Sequence, residues 1–246
     1  MALALASLFG ARAAWAAAAL PTSERLDPVR PVLQKLIEQT EQAGAPADLI
    51  VSKVREGLAK GVPPETIRNV AEQLARELTE ANDFLRVHRK TGATPGLVRA
   101  LVEARSSGAA LAALTPLVES RARDTLVVRG LEAVTDLGLR GYSGPRAALV
   151  VTQVLERDPE AVGRVVAGIE SIRRTQTVSR ADALDALSRN MAAGGGSLEG
   201  ALNRSLEGSE HSANGNGNGK NGQGSEHAAG VAGSKSNNGN MNGKNK

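Results

Sequence analysis

Between Arg25 and Leu206 the apolar residues recur three and four positions apart: Leu33, Leu36 and Ile37 form one stripe, Ile50, Val54 and Leu58 a second, and Ile67, Val70, Leu74 and Leu78 a third. This is the period of a helix with one buried face, and no stretch sustains the two-residue alternation of a half-buried strand. Proline gives the phase. Seven of the ten prolines fall where a helix can begin: Pro28 after Asp27, Pro46, Pro64, Pro95 after Thr94, Pro116 after Thr115, Pro145, and Pro159 after Asp158. At the first helical position proline loses no hydrogen bond, and a preceding Asp or Thr can cap the free amides. The pattern predicts helices over 28–43, 46–60, 64–89, 96–107, 116–137, 145–157, 159–174, 179–192 and 197–206. The expected fold class is all-α.

The segments also resemble one another. Val51, Val54, Gly61, Ile67 and Val70 share their spacing with Val98, Leu101, Gly108, Leu114 and Leu117, and again with Leu131, Val134, Gly141, Ala147 and Val150. Each set predicts a helix, a glycine at its C-terminal cap and a second helix packed back on the first. A fourth unit, Val166 and Ile169 with Leu184 and Leu187, fits only with one extra residue in its turn and no glycine. Successive units lie 47, 33 and 35 residues apart, so the repeat is irregular. Two architectures satisfy this spacing: a solenoid-like stack of helical hairpins, or a bundle in which common cap spacing coincides.

The sharpest local stretch runs from Arg55 to Glu65, Arg-Glu-Gly-Leu-Ala-Lys-Gly-Val-Pro-Pro-Glu. Gly61 supplies a left-handed cap, Val62 covers the helix end, Pro63 extends the turn and Pro64 starts the next helix. Gly108 and Gly141 are the equivalent turn positions. The stretch resembles a phrase found in uncharacterised exported all-helical bacterial proteins rich in Ala and Arg. That resemblance covers Arg25 to Phe84; it implies export and carries no chemistry.

The two ends differ from the middle. Residues 1–20 are apolar apart from Ser7 and Arg12, and offer Ala-x-Ala cleavage sites at Ala14-Trp15-Ala16 and Ala17-Ala18-Ala19. A secretory signal peptide is expected, hence a periplasmic or secreted protein, although no basic residue precedes the apolar run and Arg12 interrupts it. The alternative is an Ala-rich amphipathic helix on a cytoplasmic protein. A transmembrane anchor is not expected, because a central Arg is costly in lipid. Residues 207–246 are Gly, Asn, Ser and Lys with almost no apolar side chains, the composition of a disordered tail. The helical domain is therefore expected over 25–206.

Charge and composition narrow the functional classes. The net charge is +4, of which Arg12 carries one unit and the tail another, so little basic excess remains for a nucleic-acid surface. Cysteine is absent, which removes disulfides and thiol catalysis. Gly141-Tyr142-Ser143-Gly144-Pro145 lacks the last glycine of a nucleophile elbow, and the only histidine outside the tail is His88. Gly194-Gly195-Gly196-Ser197 has no following Lys and is no phosphate loop. His211 and His227 sit in two Gly-Ser-Glu-His copies, best explained as a duplicated low-complexity unit rather than a metal site. No catalytic residue, metal ligand or cofactor is assigned.

One basic run stands out: Arg86, His88, Arg89 and Lys90. Positive charge at a helix end complements the dipole; the same residues are candidates for binding an anion such as a lipid headgroup or an acidic glycan. Arg173 and Arg174 would join them only if the fold brings them near. The expected function is a non-enzymatic exported scaffold binding a protein or another component of the cell envelope.

Overall fold

A helix is stopped and the next one aimed at Gly61. Its amide donates to the carbonyl of Leu58 (3.1 Å) while Val62 reaches back to Gly57 (2.9 Å), and this pair of bonds requires the left-handed backbone that Gly61 adopts at φ 71°. The same bonding pattern closes helices at Gly108 and Gly141, and also at Gly44, a corner that the repeat spacing did not mark.

The computed structural model describes residues 19–89, 92–193 and 196–212, with side chains as far as Leu206. Among them are ten α-helices and no strand: α1 (Arg30–Gln42), α2 (Asp48–Ala59), α3 (Pro64–His88), α4 (Pro95–Ser106), α5 (Leu111–Glu119), α6 (Asp124–Leu139), α7 (Gly144–Arg157), α8 (Val165–Gln176), α9 (Arg180–Ala192) and α10 (Leu198–Ser212). Short 3-10 helices at Glu24–Leu26 and Pro159–Arg164 precede α1 and α8. The all-α class is as expected. The expected signal segment, apart from Ala19 and Leu20, and the tail beyond Ser212 lie outside the described residues.

Hairpins account for part of the stacking, and the Gly108 unit departs from expectation: its two helices, α4 and α5, pack on other helices rather than back on each other. Helix α2 packs back on α3, and α6 on α7. In the unit between them α5 lies against α7, and α4 against α6 and α3. Helices α5, α7 and α9 thus form one row, α4 and α6 another, and α8, α9 and α10 pack together at the end. Leucine, valine and alanine fill the interior, with Leu78, Leu101, Leu117, Leu131 and Val151 fully buried. The fourth unit has no glycine at its turn, and Thr177 takes the left-handed position at φ 54°, the only described non-glycine residue to do so.

Several element boundaries differ from those expected. The helix expected over 116–137 is two helices, broken at Ser120–Arg123, and Pro116 lies inside α5 rather than opening it. Pro28 and Pro46 sit in the turns before α1 and α2, with Pro31 taking the early helical position in α1. Pro159 opens the 3-10 helix. Asp158, expected to cap that segment, instead accepts the backbone amide of Leu198 at 3.0 Å and so caps α10 from 40 residues away.

Glycine also permits the tightest contact between corners. A Cβ on Gly144 would lie 2.5 Å from the carbonyl oxygen of Gly108, and one on Gly138 would lie 2.6 Å from that of Ser107. The end of α6 and the start of α7 therefore pass the Gly108 corner with no room for a side chain.

Candidate functional site

The C-terminal end of α3 is where the surface becomes concave. At 25 residues α3 is the longest helix, and its final turns stand between α1 on one side and the α5–α6 connection on the other. Asn82 fixes the first of these, its buried amide donating to the carbonyl of Ala43 at 2.9 Å and so satisfying the end of α1. The groove between α1, α3 and the start of α5 has a volume of about 1090 Å³. Leu36, Ala75, Phe84, Val87 and Leu111 supply its apolar surface, and Glu72, Glu80, Asp83 and Arg76 its charges. Val87 is 80% exposed, the most exposed large aliphatic side chain described. Phe84 and His88, one turn apart, have ring centroids 4.3 Å apart.

On the opposite side of Val87 and His88 lies a second concavity of about 660 Å³, lined by Arg86, Arg89, Arg121, Ser120 and Glu119. The basic run is divided here. Arg86 is exposed and borders this concavity, whereas Arg89 is only 7% exposed and its guanidinium is fully occupied. It donates to the carbonyls of Val118 (2.7 Å), Ser120 (3.2 Å) and Ala122 (2.7 Å), and to Asp124 Oδ1 through Nε (2.8 Å) and Nη2 (2.6 Å). Arg89 is thus a clamp on the break between α5 and α6, with no donor left for an external anion. His88 Nδ1 meets Glu119 Oε1 at 2.8 Å. Lys90 lies outside the described residues. Arg173 and Arg174 belong to α8, which packs on α6, α9 and α10 and not on α3, so the fold does not add them to this run.

A third groove, of about 690 Å³, crosses α2, α3, α4 and α6, with Leu49, Val70, Leu74, Val102 and Leu139 along it. Leu139 is 78% exposed.

The Gly141 corner carries another polar cluster. Buried Tyr142 donates its hydroxyl to Glu170 Oε1 (2.7 Å), while Glu170 Oε2 accepts from Arg173 Nε (3.2 Å) and Nη2 (3.1 Å). Burial, with the adjoining Glu170 carboxylate, pushes the Tyr142 hydroxyl up to about 12; its hydrogen bond, with help from Arg173, holds Glu170 below the usual carboxylate range. Arg180 lies over the tyrosine ring, 5.9 Å from its centroid. These groups satisfy one another and tie the α6–α7 corner to α8.

The other sequence candidates fall in structural places. Gly61, Pro63 and Pro64 make the α2–α3 corner, Gly108 and Gly141 two further corners. Glu72 approaches Arg68 (3.5 Å) and Asp185 approaches Arg146 on α7 (3.4 Å), in place of the i,i+4 partners Arg76 and Arg189 expected from spacing. Among the described residues no group of three or more His, Asp or Glu is placed to hold a metal, and no helix is long and apolar enough to cross a membrane. Arg121 is the residue that sequence reasoning missed; it lies in the break between α5 and α6 and lines the same concavity as Arg86, and also a neighbouring one with Glu119 and Glu156. Comparison with protein-family models, curated proteins and solved structures finds no match.

Proposed function

We propose that this chain is a non-enzymatic exported scaffold whose groove between α1, α3 and α5 receives a helical segment of a protein partner. The observation that carries the reading is Val87: a large aliphatic side chain left 80% exposed beside Phe84, Leu36 and Leu111 in a groove of about 1090 Å³. Exposed apolar surface rimmed by polar groups suits an amphipathic helix laid into a groove. Along it Glu80 is paired with Arg105 (2.9 Å) and Glu72 lies 3.5 Å from Arg68, so the rim charges are largely compensated and the partner helix is apolar on one face and polar along its flank. Affinity capture on the tagged full chain from a cell-envelope extract tests this. The reading expects a protein held by the wild type and by Leu149→Asp, a control at an exposed aliphatic elsewhere on the surface, and lost at least tenfold with Val87→Asp. The same proteins recovered by all three chains would overturn it.

Export rests on residues 1–20 and the resemblance of the Arg55–Glu65 phrase. N-terminal sequencing of the protein recovered from cells should begin at Ala17 or Leu20; a start at Met1 or Ala2 contradicts export.

A further inference from the structure

We propose that the concavity between the end of α3 and the 118–122 connection binds a doubly charged oxyanion of the phosphomonoester kind, held by Arg86 and Arg121. This goes beyond the scaffold reading: it concerns a different ligand, in a different concavity, and stands whether or not a helix occupies the groove. The two arginines come from separate elements and border one space of about 660 Å³. Neither meets a carboxylate among the described residues. Two cations facing one concavity repel each other until an anion joins them, and a guanidinium fork matches the spacing of phosphate oxygens.

A further feature prepares the site. The five hydrogen bonds from Arg89 draw the carbonyls of Val118, Ser120 and Ala122 inward and hold the connection rigid, so Arg121 is presented from a fixed backbone. The single carboxylate in the wall, Glu119, is engaged by His88.

The test is calorimetric titration of the full chain with inorganic phosphate at constant ionic strength, chloride serving as the reference anion. Saturable phosphate binding is expected, weakened at least tenfold by Arg86→Gln and by Arg121→Gln and unchanged by Arg129→Gln, an exposed arginine on α6. Arg86 and Arg121 are exposed, and the thermal melts of their variants should match the wild type. Sedimentation with phosphatidylcholine vesicles containing phosphatidic acid distinguishes the sources. Retention that Arg121→Gln abolishes identifies a lipid headgroup; phosphate binding without retention identifies a soluble ester. Absence of saturable phosphate binding, or an equal loss with Arg129→Gln, overturns the proposal.

Discussion

Replacing Gly144 by alanine adds one methyl group, and its cost can be worked from the contact between two helix corners. The new Cβ would stand 2.5 Å from the Gly108 carbonyl oxygen and 2.8 Å from both the nitrogen and the Cα of Ala109, where Cβ atoms are essentially never found closer than 3.0 Å. The corners must therefore separate by at least half an ångström. Every atom in the way is backbone, and the Gly108 corner is held by its own bonds to Arg105 (2.9 Å) and Ala104 (3.2 Å), so no side chain can swing aside. Overpacking of this kind costs about 1–3 kcal/mol, and the stiffer unfolded chain returns about 0.4–1 kcal/mol. The net expectation is destabilisation by up to about 2.5 kcal/mol, or a melting temperature lower by up to about 10 °C at this chain length, and a deficit of about 1–3 kcal/mol against the same change made where no clash occurs. Gly163→Ala makes the same chemical change where nothing lies within 4 Å, and should be neutral or stabilising by up to about 1 kcal/mol. Urea denaturation followed by circular dichroism at the helix band compares the two. A Gly144→Ala variant as stable as Gly163→Ala would refute the stacking of corners.

Three further outcomes follow from the same structure. Arg89→Ala removes the donor shared by the Asp124 carboxylate and three carbonyls and should cost about 1.5–3 kcal/mol in urea unfolding; Arg89→Lys, whose single nitrogen cannot reach all of them, should lose most of that. Thr177→Gly relieves a β-branched residue at φ 54° and should raise stability by about 0.5–1 kcal/mol, read as a higher urea midpoint. Tyr142 is the only tyrosine, so absorbance at the phenolate band reports it alone: ionisation near 12 in the folded chain against the ordinary value of 10 unfolded. Because the folded value is the higher, its contribution to stability is complete below 10 and is lost as pH rises from 10 to 12. Tyr142→Phe should abolish that loss.

Sequence periodicity places most of the helices because their signals are local. Pro64, Pro95 and Pro145 stand in the first turn of α3, α4 and α7, and Gly61, Gly108 and Gly141 close the helices before the next corners, since each acts through backbone geometry within a few residues. The break at Ser120–Arg123 is different. Thr115-Pro116 has the local form of a helix start, yet α5 begins at Leu111 and takes Pro116 into its middle. What holds the chain open afterwards is Arg89, 29 to 35 residues away. No window of local sequence contains both partners. The capping of α10 by Asp158 and the contact of Gly144 with Gly108 are hidden for the same reason. The candidate site shares this division. The basic run at the end of α3 is visible in the sequence, but burial then separates Arg89 from Arg86, and the chain break supplies Arg121 in its place. The place of the apolar groove is not legible in the sequence, because an exposed Val87 and a buried Leu85 read alike until α1 and α5 are positioned beside them.

The central claim is that the α1–α3–α5 groove is a docking surface, and it is tested most directly by a photo-crosslinking amino acid placed at position 87 of the full chain in living cells, with position 149 as the reference. The account predicts a discrete adduct of one partner protein from position 87 and none from position 149, weakened by Phe84→Ala. Adducts of equal pattern from both positions, or none from position 87, would contradict it.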